Sequence, residues 1–84
     1  MKKVVIYTGP MCPYCDWAIA LLKKSNISFK EIDISEDIKK MEEMLNRSNG
    51  RKTIPQIFFD EYHVGGYEEL RTLEKEEKLN NLLK

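Results

Sequence analysis

Val4-Val5-Ile6-Tyr7-Thr8-Gly9-Pro10-Met11-Cys12-Pro13-Tyr14-Cys15 carries a change of structural period within a dozen residues. Val4 to Tyr7 is a β-branched, aromatic run ended by Thr8-Gly9-Pro10, which predicts a buried strand. From Pro13 the apolar residues recur at helical spacing, Trp17 with Leu21 and Ile19 with Leu22. Lys23 and Lys24 stand where cations suit a helix C-terminus, and Ser25-Asn26 is a fitting stop, since Asn tolerates the left-handed conformation. A strand, a turn and a helix in this order put Cys12 at the helix cap. Pro13 then takes the first helical position, where its missing N–H costs nothing.

That placement gives Cys12 a chemistry. The free N–H groups of the first turn point at its sulfur, and with the helix dipole they favour thiolate over thiol. Cys15, three residues on, lies one turn deeper and within bonding reach. An ordinary thiol is only about 3% ionised at neutral pH, so full ionisation gains roughly 30-fold in nucleophile. Acidification of that extent also lowers intrinsic nucleophilicity by about 40-fold, so the two effects nearly cancel on attack. What remains is leaving-group ability: a stabilised Cys12 thiolate departs readily from a mixed disulfide.

Working outward, Ser28 to Asp33 predicts a second strand running into Ile34. Ser35 is a candidate cap for a second helix with Glu36 and Asp37 in its first turn and Ile38, Met41 and Leu45 inward, Met44 flanking. Arg47 to Lys52 is a polar loop. Ile54 to Phe59 predicts a third strand, Asp60-Glu61 a tight turn, and Tyr62-His63-Val64 a fourth strand ended by Gly65-Gly66. A third helix is expected near Tyr67, with Glu68 and Glu69 in its first turn and Leu70 and Leu73 inward. Leu79, Leu82 and Leu83 suggest a last helical turn. The order β-α-β-α-β-β-α predicts an α/β fold: one four-stranded mixed sheet with helices on both faces.

Composition bounds the function. The 84 residues are room for one domain, 1–84, with a modest core. Lys and Arg total 14 and Asp and Glu 14, so the basic surplus expected of a nucleic-acid binder is absent. The longest apolar run, Trp17 to Leu22, is six residues and falls far short of the roughly 20 needed to cross a bilayer, and the N-terminus lacks the apolar section of a secretory signal. A cytoplasmic protein without membrane or nucleic-acid partners is expected. In a reducing compartment a Cys-x-x-Cys pair is expected to be reactive rather than structural, and the small loop it closes gives little chain-entropy stabilisation. Two Cys and one His are too few for a zinc site within one chain, so no metal is expected. Met41 and Met44 read as core fillers, Trp17 as core or groove wall, and His63 as structural.

Cys12-Pro13-Tyr14-Cys15, followed by Thr53-Ile54-Pro55-Gln56-Ile57-Phe58 and His63-Val64-Gly65-Gly66, closely resembles the dithiol glutaredoxins of the thioredoxin-fold superfamily, in order and over essentially the whole chain. The resemblance implies a thioredoxin-like fold and a monomeric thiol–disulfide oxidoreductase with glutathione as electron-donating co-substrate. Its partners would be disulfide-containing or glutathionylated proteins. Cys12 would attack and Cys15 would resolve. Ile54-Pro55 would be cis, turning the Ile54 N–H and C=O toward the glutathione backbone like a short added strand. Gly66, Tyr67 and Glu68 would receive the γ-glutamyl carboxylate at a helix start. Tyr14 and Thr53 would line the groove, and Arg51 would attract the other carboxylate. Two positions depart from the pattern. Gly9 stands where many members carry Lys, a loss worth about 0.5–1 kcal/mol that Arg51 or Lys52 could offset. Tyr67-Glu68 stands where a small residue and Asp are commoner.

Three other readings share these residues: a redoxin reduced by thioredoxin reductase, a [2Fe–2S] carrier in which two chains each give Cys12 beside two glutathiones, and a binding module without catalysis. If Cys12 is the nucleophile, Cys12→Ser abolishes every exchange activity, because no other thiol occupies the helix cap. Residual turnover in that variant would contradict the assignment.

Overall fold

The computed structural model describes all 84 residues, Met1–Lys84. Its elements are β1 (Val4–Thr8), α1 (Pro13–Lys24), β2 (Lys30–Asp33), α2 (Ile38–Arg47), β3 (Gln56–Phe59), β4 (Tyr62–Gly65), α3 (Tyr67–Lys75) and α4 (Leu79–Leu83). The strands form one mixed sheet in the order β2-β1-β3-β4. β1 runs parallel to β2 and antiparallel to β3, and β3 and β4 form an antiparallel hairpin across Asp60-Glu61. The four-stranded mixed sheet with helices on both faces is as expected.

The strand period of two explains why both faces are covered. Val4 and Ile6 of β1, with Ile57 and Phe59 of β3, point to one face, where Ala18 and Leu22 of α1, Leu70 of α3 and Leu79 and Leu83 of α4 close an 11-residue core. Tyr7 and Phe58 point to the other face and enclose Met44 of α2. The central strands are therefore apolar on both sides, whereas the edge strand β2 (Lys-Glu-Ile-Asp) is half exposed. The Tyr7 hydroxyl is carried into this second face without being orphaned. It donates to Glu43 and accepts from Arg47 Nη1 at 3.0 Å, while Arg47 Nη2 donates to the Asp60 carbonyl at 2.8 Å. Burial, reinforced by Glu43, pushes the Tyr7 pKa up, and the same hydrogen bond holds Glu43 below its usual carboxylate range.

Several expected boundaries move, each for a local reason. Ser28 and Phe29 precede β2, whose register with β1 begins at Val5↔Lys30. Ile54 and Pro55 precede β3, since Pro55 has no N–H to give a ladder. The cap of α2 is Asp37, which accepts the Lys39 N–H at 2.9 Å, so Glu36 and Asp37 lie ahead of the first turn. Ser35 is engaged instead by Asp33, whose Oδ1 accepts its N–H and its hydroxyl at 2.8 and 2.6 Å. Met44, not Ile38, is the buried centre of α2; Ile38 lies about 120° around the helix from it and is 71% exposed.

The helix ends follow one design. After α1, Asn26 takes φ 58, its N–H reaches the Lys23 carbonyl, and the Ile27 N–H reaches Leu22 O at 2.9 Å, a Schellman motif with Ile27 packed in the core. Asn49 after α2 and Glu77 after α3 repeat it at φ 58 and 57, with Gly50 N–H on Leu45 O and Lys78 N–H on Leu73 O. Glu has none of the local compensation that Asn has in this conformation. Glu77→Gly is therefore expected to raise unfolding stability by about 0.5–1 kcal/mol, read as a higher midpoint in urea at unchanged slope. An unchanged or lower midpoint would contradict the strain assigned to this position.

Candidate active site

β1 ends at Thr8, and the turn Gly9-Pro10-Met11 delivers the chain to α1. Met11 takes φ 53 and is almost wholly exposed. Cys12 is the N-cap in extended backbone (φ −122, ψ 91), with Pro13 at the first helical position, as the sequence predicts. The Cys12 carbonyl accepts the first helical bond from the Asp16 N–H at 3.2 Å, and Cys12 Sγ accepts the Cys15 N–H at 3.1 Å. This is the geometry in which a helix start stabilises negative charge on sulfur. Cys12 and Cys15 are joined as a disulfide, with Cα atoms 5.2 Å apart. Their environments differ: Cys15 is 2% exposed and Cys12 is partly open to solvent. Attack from outside therefore meets Cys12 first.

A groove of about 180 Å³ adjoins the pair. Tyr14 comes from α1. Arg51, Thr53, Ile54 and Pro55 come from the segment before β3, where the Ile54-Pro55 bond is cis and the Ile54 carbonyl lies 3.8 Å from Cys12 Sγ. Gly66, Tyr67 and Glu68 come from the start of α3. All eight residues picked from the sequence for this groove thus line one concavity. Lys52 is exposed and does not line it. An ideal Cβ on Gly9 would fall 2.7 Å from Ile54 Cδ1, so the Ile54 side chain fills the space beside Gly9.

Sequence reasoning missed Glu69, which lines the same groove. Its carboxylate accepts the Gly66 N–H, the backbone half of a capping box, and its Oε1 is 3.8 Å from Arg51 Nη2. An acid three residues past a helix cap is the signal that could have found it. Trp17 is 52% exposed and stands outside the core. Its ring meets Tyr14 edge-on at 5.1 Å and lies 5.8 Å from Tyr67, so the three aromatics brace one wall. No group of three or more His, Cys, Asp or Glu side chains is arranged to hold a metal ion.

The loop that carries Thr53 to Pro55 is held from beneath. Gln56, fully buried, donates through Nε2 to Thr53 O at 2.9 Å and Oγ1 at 3.1 Å. Its Oε1 faces His63 Nε2 at 2.6 Å, and the His63 ring stacks on Phe58 at 4.6 Å. Burial, then the nearby Arg51 charge, pushes the His63 pKa below its ordinary value of 6.5. In the unfolded chain His63 binds its proton more readily, so stability falls as pH drops through that ordinary value toward the folded one. His63 is the sole histidine, and the perturbed carboxylates Asp33 and Glu43 titrate lower still. Urea midpoints of the protein should decline between pH 7 and 5.5, and His63→Gln should flatten most of that decline. An equal decline in both would remove His63 as its source.

The model of the glutaredoxin family matches residues 4–64 of this chain. Glutaredoxin 3 of Escherichia coli (strain K12) is 48% identical over 84 residues, covering all of both chains. Glutaredoxin 1 of Rickettsia prowazekii (strain Madrid E) is 45% identical over 84 residues, which are 99% of this chain and 88% of the relative. The solution structure of glutaredoxin from Brucella melitensis superposes with a TM-score of 0.85 at 51% identity, over 100% of this chain and 90% of that one. Together with the capped Cys12 and its partner one turn behind, these likenesses make the chain a member of the glutaredoxin family, a glutaredoxin-type oxidoreductase.

Proposed function

We propose that the chain reduces protein disulfides and glutathione mixed disulfides at the expense of glutathione, with Cys12 as nucleophile and Cys15 as resolving thiol. The observation that carries this reading is the Cys15 N–H on Cys12 Sγ at 3.1 Å at the start of α1, with Cys12 open and Cys15 buried. In the first step the Cys12 thiolate attacks one sulfur of the substrate disulfide; a Cys12 mixed disulfide forms and the other sulfur leaves as thiolate. For a protein disulfide, Cys15 then attacks Cys12 Sγ, closing the Cys12–Cys15 bond and releasing the second substrate thiolate. Two glutathiones reopen that bond, one forming a mixed disulfide with Cys12 and the second leaving with it as glutathione disulfide. For a glutathionylated substrate, Cys12 takes the glutathione and a second glutathione removes it.

The groove suits glutathione by its chemistry. The Ile54 backbone supports strand-like pairing of the tripeptide. The start of α3 at Gly66, Tyr67 and Glu68 suits the γ-glutamyl carboxylate, and Arg51 suits the glycyl one. Tyr14 and Thr53 complete the walls. The protein acts as a monomer on disulfide-containing and glutathionylated proteins in a compartment kept reducing by glutathione, such as the cytoplasm. No helix is long and apolar enough to cross a membrane.

A coupled assay with glutathione, NADPH and glutathione reductase on a small glutathione mixed disulfide tests the reading. Turnover is expected to require glutathione. Reduction of the oxidised protein by thioredoxin reductase and not by glutathione would replace it with the alternative electron donor. Cys15→Ser should keep deglutathionylation and lose reduction of protein disulfides; loss of both would show that Cys15 does more than resolve.

A further inference from the structure

Glu69 engages the Gly66 N–H and Arg51, the groups that the proposed function gives to the two carboxylates of glutathione. Its carboxylate accepts the Gly66 N–H at the start of α3, and Oε1 lies 3.8 Å from Arg51 Nη2 across the groove. The backbone is shaped around it. An ideal Cβ on Gly65 would fall 2.5 Å from Glu69 Oε1, and one on Gly66 would lie 3.4 Å from it, so two residues without side chains make its seat. Gly65 also takes φ +117, a conformation that L side chains rarely adopt.

We propose that Glu69 is an internal competitor for the groove: its carboxylate holds Arg51, and a ligand's glycyl carboxylate gains Arg51 only by drawing it away from Glu69. The inference rests on the reading of this groove as the glutathione site. Glu69 lowers the advantage that an acid holds over its neutral ester, and so sets how strongly the groove selects for charge. Both partners of the pair are about half exposed, at 46% and 49%, so the competition is modest and readily reversed on binding. The second role of Glu69, as acceptor for the Gly66 N–H, does not need its charge, and this allows the two roles to be separated.

Glu69→Gln keeps an acceptor for the Gly66 N–H and removes the charge that holds Arg51. The test is made in the full chain carrying Cys15→Ser, equilibrated in buffers of glutathione and glutathione disulfide. The Cys12 thiolate attacks one sulfur of glutathione disulfide, a mixed disulfide forms and one glutathione thiolate leaves, so the count of disulfides is conserved. Intact-protein mass spectrometry reads the fraction converted. With Glu69→Gln the equilibrium constant for the adduct is expected to rise about two- to fivefold. It should not move when both buffer components carry a glycyl ethyl ester in place of the glycyl acid. In an Arg51→Ala background, Glu69→Gln should bring no gain even with the acid. Equal gains for acid and ester, or no gain with the acid, would overturn the competitor and leave the glutathione reading standing. Failure of Cys12 to form the adduct in every variant would overturn both.

Discussion

An amide N–H at a helix start has no partner within its own helix, and here one of them, on Cys15, is spent on a sulfur. That pairing demands that the chain leave an extended strand and enter a helix at one residue, with no room for a longer cap. Pro13 makes the entry inexpensive, since it preorganises φ and withdraws a donor that would otherwise be idle. The strand that feeds the turn must in turn be immobile. β1 is hydrogen-bonded on both edges and covered on both faces, so the turn after Thr8 issues from the most enclosed part of the molecule.

The groove is a consequence of register. Tyr7 pairs with Gln56, and Ile57 pairs with Gly65, so the end of β1, the start of β3 and the end of β4 fall at one end of the sheet. Three loops far apart in sequence therefore open side by side and need little further machinery. What they do need is support for the segment before β3, which has no ladder of its own. The buried Gln56 side chain provides it by taking both Thr53 acceptors, and His63 satisfies the remaining amide oxygen. A polar pair in the sheet is thus used to fix a wall of the site.

The sequence was legible wherever a local pattern had one solution. The β1 run, the Cys-Pro pair at a helix start and the Asn26 stop each had a single physical reading, and the eight groove residues came from the family resemblance with their positions intact. It was illegible where two neighbours competed for one role or where the partner was remote. Ser35 and Asp37 are both good caps; Asp37 prevailed because Asp33 had already engaged Ser35. Ile38 has helical spacing to Met41, yet the seam of α2 centres on Met44, and only the packed face of Tyr7 and Phe58 decides this. Glu69 has an ordinary place in a first helical turn, and its role appears only when Arg51, from a different loop, arrives opposite it.

The two faces of the sheet are unequal, with an 11-residue core beneath α1, α3 and α4 and a three-residue one beneath α2. Opening free energies within a fold follow such differences, so α2 belongs to the first unit to detach while the remainder stays assembled. Detachment of α2 would release the Ser48 hydroxyl from the Arg51 carbonyl, which it reaches at 3.1 Å, while Gln56 still holds Thr53 and the helix cap still holds Cys12. The molecule thus ties only the Arg51 side of the groove to its smaller core and leaves the sulfur on the larger one.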